Sequence, residues 1–109
     1  MAVPAVNIEI EQGADFTSTY TIENNDGSVF NMNNASATAK AKKHPTAGTA
    51  YTFSTSIESS TGKITIQMTD EITATMEAGR YLYDILLTSA SGDKTRVIQG
   101  MALVTAGIS

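Results

Sequence analysis

The sequence predicts an all-β fold, a single domain of residues 1–109 built as an antiparallel two-sheet sandwich of about eight strands. Three observations support this prediction. Apolar residues recur at every second position in several short runs, which is the period of a strand with one face on a core. Clusters of Asn, Asp, Gly and Ser separate these runs. The composition is rich in threonine, with 16 of 109 residues, and the chain lacks the helices that parallel strands require between them.

The first two strands are predicted at 6–11 and 16–23, where apolar and polar residues alternate. Phe16 and Tyr20 share one face of the second run, so they are expected to point into the core. The turn signal at 24–27, Asn-Asn-Asp-Gly, tolerates positive φ and predicts a hairpin into a further strand at 28–32.

The next predicted strand, at 35–42, has an inner face made only of alanines, at positions 35, 37, 39 and 41. Methyl groups alone cannot fill an interior that is packed to crystal-like density. We therefore expect the aromatic rings of a facing sheet to cover this alanine ribbon.

Two more strands are predicted at 51–57 and 63–68, separated by a turn at 59–62. Thr69 is a candidate cap for a short helical turn at 69–78, and two acidic residues follow it in the favourable first turn. Gly79 is expected to end this segment.

The run 81–87 is apolar on both faces and is predicted to be a central strand. Asp84 lies within it and needs a partner if it is buried, for which Arg80 and Arg96 are the candidates. Gly100, inside the final strand at 94–105, is predicted to mark a β-bulge. The predicted core consists of Phe16, Tyr20, Phe53, Ile64, Ile66, Tyr81, Tyr83 and Ile85.

Composition argues against most kinds of chemistry. The chain has no cysteine, so it can form neither a disulfide nor a thiolate site, and its one histidine, His44, leaves too few ligands for zinc. The net charge of −4 opposes binding to nucleic acid phosphates, and no apolar run approaches the ~20 residues of a membrane span.

Glu9 and Glu11 share a strand face, which is more typical of a solvated strand than of a catalytic pair. We expect no enzymatic activity, no cofactor, no metal, no nucleic acid and no membrane.

The candidate site for contact with a partner is the basic cluster of Lys40, Lys42, Lys43 and His44. Such a cluster can contact phosphate or an acidic protein surface. The alternative interpretation is a solvated strand end, which is the commoner case.

Four segments, 8–16, 37–43, 77–85 and 95–101, carry a resemblance that spans most of the chain. The pattern Ala-Gly-Arg-Tyr-Leu-Tyr-Asp, followed by a final strand with Thr-Arg-Val and then Gly, resembles small virion structural proteins of tailed bacteriophages of the cyanophage type. More distantly, it resembles the amino-terminal β-domain of phage baseplate upper proteins. The Gly-Arg-Tyr-Leu-Tyr entry also resembles the tyrosine corner of immunoglobulin-like sandwiches, with Tyr81 or Tyr83 in that place. This implies an Ig-like fold.

The resemblance implies a non-catalytic virion subunit, a head decoration protein or a neck or tail accessory protein, that acts through protein–protein contacts. It implies multiple copies per particle, with capsid, neck or tail subunits as partners. Such a protein is made in the host cytoplasm without a signal peptide and leaves by lysis, which agrees with an amino terminus that lacks a secretion signal. The alternative is a tail or baseplate adhesion module that binds a receptor on the host surface.

Overall fold

The computed structural model describes residues 5–23, 27–28, 30, 32–44 and 48–107. The all-β prediction is confirmed: the described residues form seven strands and one helix of four residues. The elements are β1 (Ile8–Glu11), β2 (Phe16–Thr21), β3 (Ser36–Lys42), β4 (Tyr51–Glu58), β5 (Lys63–Met68), α1 (Asp70–Thr73), β6 (Gly79–Thr88) and β7 (Lys94–Thr105). No strand forms among the described residues of the expected 28–32 segment, and the Asn-Asn-Asp turn before it lies outside the described residues.

The strands form one sheet in the order β1-β7-β6-β3-β4-β5-β2. Strand β4 joins its two halves, because residues 51–53 pair with β3 while 54–58 pair with β5. The two predicted layers are therefore parts of a continuous sheet that curls around a single core. A contact across that core shows the curl, since the hydroxyl oxygens of Tyr20 on β2 and Tyr83 on β6 lie 3.2 Å apart.

One strand pair departs from the predicted antiparallel arrangement. Strands β1 and β7 run parallel, with Ile8 opposite Ala102 and Ile10 opposite Val104. A parallel pair needs a long connection, and here almost the whole domain lies between the two strands. The expectation failed because it considered only connections between consecutive strands.

The helical segment α1 is shorter than the predicted turn at 69–78. Thr69 occupies the N-cap position but makes no side-chain cap bond; Asp15 instead accepts a hydrogen bond from the backbone N–H of Asp70 at 2.8 Å. Thr73 is fully buried, and its hydroxyl donates to a backbone carbonyl in the turn between β1 and β2 at 2.9 Å. These bonds attach the helical turn to the start of the sheet.

Seven of the eight predicted core residues are buried, and Phe16 is partly buried and packs against them. The aromatic rings also explain the alanine ribbon on β3. Phe53 on β4 and Tyr83 on β6 contact each other across β3 with ring centroids 6.4 Å apart, although neighbouring strands are each about 4.8 Å apart. The prediction that a facing sheet would cover the alanines was incomplete: rings from both flanking strands lean over Ala39 and Ala41.

The predicted bulge exists in β7, but at Val97 and not at Gly100. Ile85 pairs with Ile98 and the next residue of β6, Leu86, pairs with Arg96, so Val97 is the extra residue. Val97 and Ile98 are consequently both buried, although they are adjacent in sequence. The bulge turns two successive apolar side chains into the core.

Gly100 has a different role, which is the close approach of a second backbone. A Cβ atom at this position would lie 2.7 Å from the carbonyl carbon of Val6 and closer still to its oxygen. Val6 is held there by its own N–H, which donates to the carbonyl of Gln99 at 2.8 Å. Only glycine lets the segment before β1 pack this tightly on β7.

A chain of hydrogen bonds crosses the core and ends at the same Val6 carbonyl. The Tyr83 hydroxyl donates to that carbonyl, and the Tyr20 hydroxyl lies 3.2 Å from the Tyr83 oxygen. Because Tyr83 has a single hydroxyl proton, Tyr20 is the donor in the second bond. Tyr81 in turn donates to the carbonyl of Glu77 at 2.9 Å, the bond to upstream backbone that is expected of a tyrosine corner.

Replacing Gly100 with alanine should destabilise the domain by about 1–3 kcal/mol, because the new methyl group forces Val6 away from β7. Urea unfolding followed by circular dichroism measures the loss. Gly48→Ala is the matched control, since a Cβ there meets nothing within 4 Å and the residue has no positive φ. Equal stability of the two variants would contradict the packing role of Gly100.

Tyr83→Phe should cost about 1–3 kcal/mol of unfolding free energy, because it leaves both the Val6 carbonyl and the Tyr20 hydroxyl without their partner. Tyr20→Phe removes only the donor at the end of the chain and should cost less, about 1 kcal/mol. Truncation of Tyr83 to alanine should cost about 3–5 kcal/mol. The order of the urea midpoints of the three variants tests the direction of the hydrogen bonds. A larger loss of stability for Tyr20→Phe than for Tyr83→Phe would mean that the assigned direction is wrong.

Stability should also fall at alkaline pH. Burial raises the pKa of Tyr83 well above its ordinary value of 10.0. The unfolded chain therefore loses this proton at a pH where the folded domain keeps it, so the stabilisation is complete below pH 10 and declines above it. The slope contributed by one such group is at most about 1.4 kcal/mol per pH unit. In Tyr83→Phe the unfolding free energy should decline less steeply with pH above pH 10. An unchanged decline would exclude Tyr83 as its source.

Candidate interaction surface

Strands β1, β7, β6 and β3 present an outer face on the side opposite the core. The register aligns its side chains in rows, and one row contains Lys40, Asp84 and Gln99. The adjacent row contains Lys42, Leu82 and Met101. Residues that alternate with the core positions of each strand are thus brought together on one surface.

An open groove of about 640 Å³ lies on this face. The side chains that shape it include Lys40, Lys42, Leu82, Asp84, Arg96 and Gln99. We refer to these six residues as the outer groove. Gly100 and Ala5 form part of its wall, so the close packing of the segment before β1 also limits the groove at one end.

The outer groove has an excess of positive charge. Arg96 Nε donates to Asp84 Oδ2 at 3.0 Å, which identifies Arg96, and not Arg80, as the partner that the sequence left open for Asp84. Within the described part of the chain, Lys40 and Lys42 make no ion pair. Two lysines therefore remain available for an anionic group in a domain whose net charge is −4.

Apolar side chains continue the same face. Leu82 and Leu103 are 47% and 40% exposed, and they lie on adjacent strands with their side chains on the same side of the sheet. Met101 lies directly opposite Leu82 and two residues before Leu103, so the three side chains are direct or diagonal neighbours. We call these three residues the outer apolar cluster, and Leu82 belongs both to it and to the outer groove.

The structure divides the predicted basic cluster. Lys40 and Lys42 face the outer groove, whereas Lys43 lies just past the end of β3 and pairs with Glu77, with Nζ and Oε2 at 2.7 Å. This hydrogen bond raises the pKa of Lys43 and lowers that of Glu77. His44 is exposed beyond Lys43. The four residues therefore do not form one surface, because the alternation of β3 ends before the last two.

The outer apolar cluster was not among the site residues predicted from the sequence. The apolar character of both faces of 81–87 correctly indicated a central strand, since β6 lies between β7 and β3. It did not indicate that Leu82, on the outer face of this strand, remains exposed. The sequence does contain a signal for this cluster. Met101 and Leu103 alternate with the core residues of the last strand, so they lie on the same outer face as Leu82 of β6.

The residues that the structure describes contain no group of three or more histidine, cysteine or acidic side chains placed to hold a metal ion. They also contain no helix with the length and apolar character needed to cross a bilayer.

Comparison with known proteins identifies no family. No protein-family model matches the chain, and no curated protein matches it significantly. Among solved structures, the Listeria monocytogenes internalin-like protein lmo2027 matches with 14% sequence identity and a TM-score of 0.45. The match covers 93% of this chain and 27% of that one, so the chain spans about a quarter of that structure.

Proposed function

We propose that this protein is a non-catalytic binding subunit that docks on a protein partner through the outer groove and the outer apolar cluster. The observation that carries the proposal is the combination of exposed leucines with two unpaired lysines on one rigid sheet face. Following the sequence resemblance, we propose that the assembly is a phage particle and that the chain is a head decoration protein or a neck or tail accessory protein.

The chemistry of the face defines the partner. Burial of Leu82 and its apolar neighbours supplies non-directional binding energy, of the order of 25 cal/mol for each Å² of apolar surface. Lys40 and Lys42 flank this apolar area and favour carboxylates on the partner, which adds specificity and speeds encounter. A partner surface with an apolar centre and acidic side chains beside it fits both requirements.

The sheet makes this surface suitable for repeated docking. Side chains on a central strand such as β6 are fixed by neighbours on both sides, so little conformational entropy is lost on binding. The Asp84–Arg96 ion pair further orders the floor of the groove. A subunit present in many copies needs this kind of preformed surface, because every copy must bind its neighbour in the same geometry.

Reversing the charge of both groove lysines, in the double variant Lys40→Glu and Lys42→Glu, should weaken docking about 10- to 100-fold, because the acidic partner surface is then repelled. The readout is the copy number of the subunit in purified particles, measured by quantitative mass spectrometry. Thermal unfolding checks that the variant is folded.

Lys43→Glu is the matched control, since Lys43 points to Glu77 and away from the groove; this variant should be incorporated at the wild-type level. Incorporation of the double variant at that level, or presence of the wild-type protein only in infected-cell lysate, would contradict the proposal. Particles that keep the double variant but lose attachment to host cells would favour the alternative, an adhesion module that binds a host receptor.

A further inference from the structure

The two ends of the sheet differ in how they resist the addition of another strand. Strand β1 has four residues, of which Glu9 and Glu11 are exposed charged residues. A short, charged edge of this kind disfavours pairing with a further strand. Strand β2, at the opposite end, has six residues and contains no charge and no proline. It therefore lacks the usual devices that protect an edge.

The register shows which backbone groups of β2 are open. Ile22, just after β2, donates its N–H to the carbonyl of Gly62 at 2.7 Å, and hydrogen-bonded pairs alternate along an antiparallel ladder. Even-numbered residues of β2 therefore bond to β5, while the N–H and C=O groups of Thr17, Thr19 and Thr21 point away from it. Among the described residues, none bonds to these groups. Phe30 donates to the carbonyl of Ile22, which lies beyond the end of the strand.

We propose that β2 is the docking edge for the β2 strand of a second copy of this chain, added antiparallel about a two-fold axis that passes through Ser18. In this arrangement Thr17 of each copy lies opposite Thr19 of the other. These are the residues whose backbone groups are open, so each such pair exchanges both backbone hydrogen bonds. Phe16 lies opposite Tyr20 of the other copy on the inner face, an aromatic pair of the kind that stabilises neighbouring strands.

The charges that flank the strand select this register. An axis through Thr19 would place Asp15 directly opposite Glu23 of the second copy, and like charges in that position are destabilising. With the axis at Ser18, Glu23 lies opposite Gly13, and Asp15 lies opposite Thr21. The composition of β2 also favours pairing with a second copy. Two uncharged rows of threonines do not repel each other, so no opposite charge from another protein is needed.

The dimer should be weak and reversible. A single added strand buries less surface than the ~1,200–2,000 Å² of a stable protein–protein interface. Pairing should therefore become visible only at high concentration in solution. The β2 edge lies apart from the outer groove, so this inference does not depend on the proposed partner of that groove.

Sedimentation equilibrium from micromolar to millimolar concentration tests the inference on the full chain. The wild-type average mass should rise from the monomer mass of 11.5 kDa towards twice that value. Thr17→Pro should remain monomeric, because proline lacks the N–H that faces the open edge. The hydrogen bonds between β2 and β5 are kept, since the N–H of Thr17 takes no part in them. Thr17→Val, which keeps the N–H and the β-branched shape, is the control and should dimerise as the wild type does.

Circular dichroism establishes that the proline variant is folded, and Thr17→Lys provides a second test that keeps the backbone donor but adds a charge at the edge. This lysine variant should also remain monomeric. A wild-type protein that stays monomeric over the whole range, or either edge variant that dimerises as strongly as Thr17→Val, would overturn the proposal.

Discussion

The hydrogen-bonded chain from Tyr20 through Tyr83 to the Val6 carbonyl is the interaction on which the closed shape of the domain depends. It joins one end of the sheet to its centre and to the segment before β1, which the bridge between Ala5 and Gln99 holds beside β7. Both hydroxyls are buried, and a buried hydroxyl without a hydrogen-bond partner costs free energy. The two tyrosines and the Val6 carbonyl are therefore each needed by the others. Gly100 completes the arrangement, because it lets the Val6 carbonyl come close enough to accept the bond.

The small side chains of β3 make this arrangement possible. Alanines at the centre of the sheet leave space that rings from β4 and β6 fill, and the rings meet above the strand that separates their backbones. Large residues on β3 would keep these rings apart and hold Tyr83 away from Tyr20. The curl of the sheet, and with it the convex outer face that carries the groove, therefore follows from the placement of small and large residues on three adjacent strands.

Period-two alternation was enough to predict the seven strands that form and the inward-facing core, and the apolar character of both faces of 81–87 predicted the central position of β6, because these features depend on local side-chain placement. Features that depend on distant contacts could not be predicted in the same way. The parallel pairing of β1 with β7, the bulge at Val97 and the role of Gly100 all arise where segments far apart in sequence meet. The candidate site was half predicted: Lys40 and Lys42 share the groove, but Lys43 is turned away by the end of β3, and the exposure of Leu82 depends on which strands flank it.

Charge placement gives the surfaces of this acidic domain different capacities for association. Acidic residues lie on the β1 edge and at both ends of β2, whereas the unpaired lysines lie in the outer groove. A partner with an acidic surface is therefore repelled by the β1 edge and attracted to the groove, which orients its approach. Tyr20 of β2 contacts Tyr83 through the core, so β2 lies in the layer that faces the inner side of β6, while the groove lies on the outer side. Occupancy of one surface leaves the other open, and a subunit with two such separate surfaces can be bound to its support and paired with a second copy at the same time.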